Sequence, residues 1–505
     1  MAGERWAAPA SRRINMRIVI EGALEARSPL HLGSGDGDEV VDLPLLRDAI
    51  DGRPVLTGAS LCGALRSYLR AHVLGDRAPA GQSDRGPEAI VTALFGGQGV
   101  DQEGMRWMAE SAVVIDDTRG ALPEGGGVEL RSGVRLEAAT RTAAEDALFN
   151  QELWPAGTGF PLRLEVALAQ GAGEQASLQA LATALGGLRP AVDGITLGAR
   201  KRRGYGRVAV DKWAVRRYDL TTQNGLLAWL EHGHEPLPEE AYSDQQGIVA
   251  LLGVAPLGDA RLAFEVTATC ALQGSLLIRA GYGADDTGPD MMHLHSRQAG
   301  GKREPMLPGT SLAGALRARA LRIANTLYPA ARATMATALV DDIFGPLRPE
   351  AQPGMRARGL RASRLNVTEQ VVEGARADLV QNRVAIDRFT GGSYPGALFD
   401  EQPAFATPDT TITFSLRLVN PSEAEMGLLL LVLKDLWTAD LPLGGEQAVG
   451  RGRVRGCEAT LWLPDGAGEV ALHQQWPAPP HVDGDRVALE RYVAALHGVA
   501  RGGAA

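Results

Sequence analysis

Apolar and polar residues alternate through MRIVIEGALEA at Met16–Ala26, with a β-branched start, and this pattern predicts a strand. A loop rich in glycine and acid follows. The chain then enters GASLCGALR at 58–66, where Thr57, Gly58 and Ser60 supply the small, capping chemistry of a helix start. A helix is predicted over 59–73. Strands are expected at 112–117, 160–168 and 207–215, and helices at 177–188 and 225–231. A long excursion, 119–158, separates the second strand from the third. HGHEPLPEEAYSDQQG, proline-rich and acidic, reads as a linker.

The pattern then starts again. GTSLAGALR at 309–317 repeats GASLCGALR at seven of nine positions, and AFEVTATCALQGSLLIRAG at 263–281 parallels VIEGALEARSPLHLGSG at 19–35. IFG at 343–345 answers LFG at 94–96. VAIDRFTGGSYPGALFDE at 384–401 answers VRLEAATRTAAEDALFNQ at 134–151, and GRGRV at 450–454 answers GYGRV at 204–208. Segments recurring in one order at a nearly constant offset mark a tandem duplication. The expected division is a leader at 1–15, a first unit at 16–221, a linker with a short helix at 222–259, a second unit at 260–465, and a C-terminal tail with one helix at 466–505. Each unit reads βαββαβ, an α+β ferredoxin-like order of the kind RNA-recognition modules use. Aromatics are only 5% of the chain, so base stacking on the sheet is not expected.

Composition adds constraints. The 505 residues exceed one ordinary core, and three scattered cysteines, Cys62, Cys270 and Cys457, favour packed thiols over a disulfide or zinc framework. No apolar run reaches membrane-spanning length, and MAGERWAAPASRRINM lacks a signal-peptide core, so a cytoplasmic protein is expected. Net charge is −9, yet basic residues cluster at Arg200, Lys201, Arg202 and Arg203 between glycines, and at Arg451, Arg453 and Arg455. Local potential steers a polyanion, so these loops, with Gly204, Gly206, Gly450 and Gly452, are candidate phosphate contacts as well as ordinary solvated charge. The same holds for Gly58, Ser60 and Arg66 and for Gly309, Ser311 and Arg317, where a helix start offers free N–H groups but also simple capping and tight packing. The acids Asp36, Asp38, Glu39 and Asp42 fit a solvated turn or carboxylates for a divalent cation. Two HxH pairs, His232/His234 and His293/His295, are read as surface residues and not as a metal site.

PLHLGSG, VVDLPLLRD, GRPVLTGASLCGALR and GARKRRGYGRV together resemble the RAMP superfamily, most closely the repeating Cas-seven-type backbone subunit of type III CRISPR effector complexes. The chain looks like two such subunits fused, as in type III-D-like systems. The resemblance implies two RAMP domains with thumb-like β-hairpin insertions at 119–158 and 369–409, and partners in CRISPR RNA, target single-stranded RNA and other effector subunits. It implies cleavage of target RNA with Mg²⁺ or another divalent cation, with Asp42 as the catalytic and metal-holding residue. Asp290 is the expected counterpart, with Asp285 and Asp286 as alternatives in a longer loop. The phosphate contacts above become RNA-binding residues, joined by Arg388. A non-catalytic RNA-binding scaffold and a CRISPR RNA-processing nuclease of the same superfamily are the alternatives, the latter lacking a convincing histidine.

Overall fold

The computed structural model describes all residues except 1–13, 36–40, 77–86, 101–105, 138–142, 170–172, 192, 245–246, 281–287, 348–360, 467 and 503–505. Asp36, Asp38, Glu39, Asp285 and Asp286 therefore lie outside the described residues.

The first unit contains β1 (Met16–Ala26), α1 (Gly58–Leu74), α2 (Pro87–Phe95), β2 (Val113–Ile115), a hairpin of β3 (Glu129–Leu136) and β4 (Ala143–Leu153), then β5 (Gly159–Leu168), α3 (Glu174–Gly186) and β6 (Val208–Asp219). Its antiparallel sheet runs β6-β1-β5-β2. The alternation read in the sequence puts Ile18, Ile20 and Leu24 against Leu61, Leu65 and Leu69 of α1 and Leu181 and Leu185 of α3, all within one apolar cluster.

The presumed linker belongs to the first unit's structure. It holds α4 (Gln223–His232) and α5 (Ile248–Leu252). Trp229 of α4 and Leu237 pack with Val19, Ala214 and Tyr218 on the second face of the sheet. Beneath them Glu21 accepts hydrogen bonds from the Leu237 N–H at 3.1 Å and the Tyr242 hydroxyl at 2.8 Å. An apolar face left open would cost the unit that burial, and the 222–242 segment closes it.

The second unit repeats the order: β7 (Ala263–Gln273), α6 (Gly309–Leu327), α7 (Ala333–Phe344), β8 (Leu365–Val367), a hairpin of β9 (Gln381–Ile386) and β10 (Ser393–Gln402), β11 (Thr411–Val419), α8 (Glu423–Trp437) and β12 (Arg453–Trp462). The segment expected to be a tail extends this unit. β13 (Glu469–His473) and β14 (His481–Asp483) lengthen the sheet to β8-β11-β7-β12-β13-β14, and α9 (Arg486–Arg501) buries Ala488, Tyr492, Leu496 and Ala500 in its core. Gly427 of α8 permits this contact, since a Cβ there would fall 2.2 Å from the Tyr492 carbonyl oxygen.

The two units meet through a buried polar joint. Arg131 of β3 donates to Glu369 at 2.5 and 3.1 Å, to Ser296 Oγ at 2.6 Å and to Glu129 at 3.1 Å. Burial works against the Arg131 charge, but Glu369, Tyr205 and Glu129 outweigh it and hold the guanidinium charged more firmly than usual. Arg203 donates to the Leu365 carbonyl at 2.9 Å. Gly204 and Gly309 leave room for this approach: a Cβ on Gly204 would meet the Glu369 nitrogen at 2.2 Å, and one on Gly309 the Arg203 oxygen at 2.4 Å.

Candidate functional site

Asp42 stands, exposed, where the acidic loop returns to the root of the hairpin. The Asn150 N–H of β4 donates to Asp42 Oδ2 at 2.8 Å, and the next residue, Leu43, forms a parallel bridge with Gln151. The second unit repeats this geometry. The Asp400 N–H of β10 donates to Asp290 Oδ2 at 2.9 Å, and Met291 runs parallel to Glu401. The hairpins share one register, Asn150 opposite Ser132 and Asp400 opposite Asn382. Asp290 is thus the structural counterpart of Asp42, although the two loops differ in length.

Around Asp42 lies a cavity of about 440 Å³ lined by His31, Leu32, Gly33, Asp42, Thr57 and Ser60, with the Gly198–Ala199 backbone at its wall. Thr57 caps α1: its Oγ1 accepts from the Ser60 N–H at 3.3 Å and donates to Ser60 Oγ at 2.8 Å. The Gly58 N–H is already taken by Asp117 at 2.8 Å, and a Cβ on Gly58 would fall 2.0 Å from the Ile115 oxygen. Close packing explains this glycine. Glu152, from the hairpin root, accepts from the Leu45 N–H at 3.1 Å and from Arg47 at 2.9 Å.

The basic loop divides into two roles. Lys201 and Arg202 are exposed; Arg200 stacks 4.4 Å over the Phe149 ring, and Arg203 is half-buried in the joint, where burial pushes its guanidinium down to about 10. The second unit replaces these four residues by Glu446, Gln447, Ala448 and Val449 at matching backbone positions, Arg200 and Glu446 both having φ near +55°. Arg451 is not a surface cation. It is buried and donates to Glu446 at 2.7 Å, Glu401 at 2.9 Å, Ser275 at 2.8 Å and Gln381 at 2.9 Å. Burial opposes the Glu446 charge, yet hydrogen bonds within this cluster and the Arg451 and Arg383 guanidinia hold its carboxyl below the usual range. Arg317 likewise serves the fold, donating to the Gly345 carbonyl at 3.0 Å and to Asp341 at 2.5 Å. Gly206 and Gly452 are turn glycines whose Cβ would strike Leu197 and Leu443 carbonyl oxygens at 1.9 and 1.8 Å. Ser60, Gly450, Arg453 and Arg388 are exposed, while Arg66 and Ser311 are half-buried.

His293 corrects the surface reading of its HxH pair. It is buried and accepts from the Ile278 N–H at 3.1 Å, and burial, with His295 beside it, pushes its imidazole down to about 4. Of the cysteines, Cys270 is buried and burial raises its thiol, while Cys62 and Cys457 are half-buried.

Sequence reasoning passed over the hairpin surfaces. Leu130, Val134, Leu136 and Leu148 are exposed in the first hairpin, and Val384, Ile386, Phe389, Tyr394 and Leu398 in the second. Runs of apolar residues flanking a turn carried that signal, but a sequence cannot separate an exposed ribbon from a buried one.

Two α+β units, each with a loop aspartate fixed to the root of a projecting hairpin, define a duplicated modular protein. The RAMP superfamily model matches residues 23–209 and 274–455, and the chain belongs to that superfamily, which is associated with CRISPR RNA-binding complexes. A comparison with curated proteins gives no match. No helix among the described residues is long and apolar enough to cross a membrane.

Proposed function

We propose that the chain is a fused, two-unit backbone subunit of a type III CRISPR effector complex, which holds CRISPR RNA and cleaves complementary target RNA at Asp42 and Asp290. The carrying observation is the repeated bond from hairpin backbone to loop carboxylate, Asn150 to Asp42 and Asp400 to Asp290. Strand orders β6-β1-β5-β2 and β8-β11-β7-β12 support ferredoxin-like units. The hairpins act as thumbs: their exposed leucines, isoleucine and phenylalanine wedge between bases, as apolar side chains do where proteins unstack a duplex. A nucleotide splayed there turns its 2′-oxygen into line with phosphorus and the 5′-oxygen. The 2′-hydroxyl gives its proton to water as its oxygen bonds to phosphorus, the bond to the 5′-oxygen breaks, and water supplies a proton to that leaving oxygen, which leaves a 2′,3′-cyclic phosphate. Arg200, Lys201 and Arg202 of the first unit offset phosphate charge.

Among the described residues each aspartate has one oxygen bound by a backbone N–H and the other without a hydrogen bond. No group of three or more His, Cys, Asp or Glu side chains lies together among the described residues. A single carboxylate, Asp42 or Asp290, would suit Mg²⁺, an ion that needs few protein ligands. Once bound by Asp42 or Asp290, the ion supplies charge stabilisation at the phosphate. The same solitary carboxylates favour a second reading, a scaffold that binds RNA without cutting it. Cleavage products of a guided target, mapped by length in the assembled complex, separate the two. Asp42→Ala should remove one cut and Asp290→Ala another, with assembly intact and all cuts lost in EDTA. Persistence of every cut in both variants would sink the catalytic assignment, and no cut in wild type would leave the scaffold.

A further inference from the structure

His31 is 5% exposed and lines the cavity beside Asp42. Its Nδ1–H donates to the Glu152 carbonyl at 2.8 Å, and in the neutral ring Nε2 is then the nitrogen with the lone pair. Nε2 takes no hydrogen bond among the described residues, and a Cβ on Gly33 would fall 2.9 Å from it, so it faces the side where Gly33 keeps the wall low. The ring is buried, but Nε2 opens on the cavity, so a molecule that enters there reaches its lone pair.

Among the described residues none of the polar side chains around it donates to Nε2. Asp42 only accepts, and the Thr57 hydroxyl gives its hydrogen to Ser60. A phosphate also only accepts, so it cannot satisfy a neutral imidazole nitrogen. A hydroxyl can. The second unit lacks this acceptor: the Leu277 carbonyl takes the Gly445 N–H as the His31 carbonyl takes that of Ala199, so Leu277 stands at the His31 position, and Pro308 replaces Thr57 before the helix.

We propose that the first unit's cavity is a ribose site, in which His31 Nε2 accepts the hydrogen of an RNA 2′-hydroxyl and makes that unit, unlike the second, distinguish RNA from DNA. This rests on the reading that the chain binds RNA. The volume, about 440 Å³, lies in the range of small-ligand sites.

The test is fluorescence anisotropy of the full-length chain with a labelled single-stranded RNA and the DNA of the same sequence. Wild type should prefer RNA. His31→Leu, which installs the second unit's residue, and Gly33→Ala, which keeps the imidazole but places a methyl group 2.9 Å from Nε2, should each reduce the RNA-to-DNA affinity ratio roughly 5-fold, the worth of one neutral hydrogen bond. Thermal melts establish that each variant is folded, and Gly33→Ala decides the matter should the His31 variant unfold. An unchanged ratio in folded Gly33→Ala, the result expected were the cavity to hold water alone, would overturn the ribose site while leaving RNA binding standing. Failure of wild type to bind RNA would overturn both.

Discussion

At the scale of single residues, position in the fold separates side chains that look alike in sequence. His31 and His293 each lie next to apolar residues in the sequence, yet one lines a cavity and the other is sealed in a core. The second has a measurable consequence. The His293 imidazole sits at about 4 in the folded chain, against an ordinary value near 6.5 when unfolded. Between those values the unfolded chain binds more protons, so this group's contribution is present above about pH 6.5 and is lost as pH falls toward 4. Urea midpoints should therefore drop over that window, and His293→Leu, with the residue found at the matching Leu45, should flatten the drop. An identical pH slope in the variant would refute the argument. Gly58 gives a simpler case. Gly58→Ala should destabilise by roughly 2 kcal/mol or more, since a Cβ at 2.0 Å meets main-chain oxygen and not a movable side chain. An unchanged melting temperature would show that α1 can shift.

At the scale of elements, the hairpins are the feature that burial alone does not explain. Ile386 is 68% exposed and Phe389 96%, so Ile386→Ser and Phe389→Ser should move stability by less than about 0.5 kcal/mol. If these residues wedge into a guide–target duplex, the same variants should lower the unstacking signal of a 2-aminopurine placed in the target strand. A signal equal to wild type would remove the wedge role. The strand alternation and the helix caps were legible in the sequence: α1 was expected at 59–73 and spans Gly58–Leu74. The correspondence of the two hairpins was legible too, because ALF recurs at 147–149 and 397–399, and its Leu and Phe pair alike in both units. The stretches expected as linker and tail, proline-rich and polar, bury one tryptophan and one apolar helix face, and only the sheet each covers reveals that.

Over the whole molecule, the joint between units is a buried ion pair and not an apolar patch. Arg131→Met would leave Glu369, 6% exposed, as an unpaired buried carboxylate, at a cost of about 3–5 kcal/mol. Adding Glu369→Leu should recover most of that loss, because no uncompensated charge remains. Chemical denaturation of both variants checks this, and a double variant as weak as the single one would mean the joint depends on more than the pair. The units also differ in field. Exposed Lys201 and Arg202 follow Gly198 and Ala199 of the first unit's cavity in the chain, whereas the matching second-unit loop is neutral or closed on itself through Arg451, Glu401 and Glu446. RNA phosphate is therefore held more strongly by the first unit under the proposed function.

The sequence by itself determined the duplication, the βαββαβ order, the loop that carries Asp42 and the likeness to RAMP proteins, because periodicity, capping and repeated motifs are local properties. It singled out Asp290 as the match of Asp42 but could not align the loops, and only the shared bond to a hairpin N–H decided the pairing. Tertiary structure alone decided that Arg451 serves the core, that Arg131 reaches across to Glu369, and that His31 Nε2 opens on a cavity. Those outcomes depend on which distant segments meet, and a side chain's availability is set by its neighbours in space.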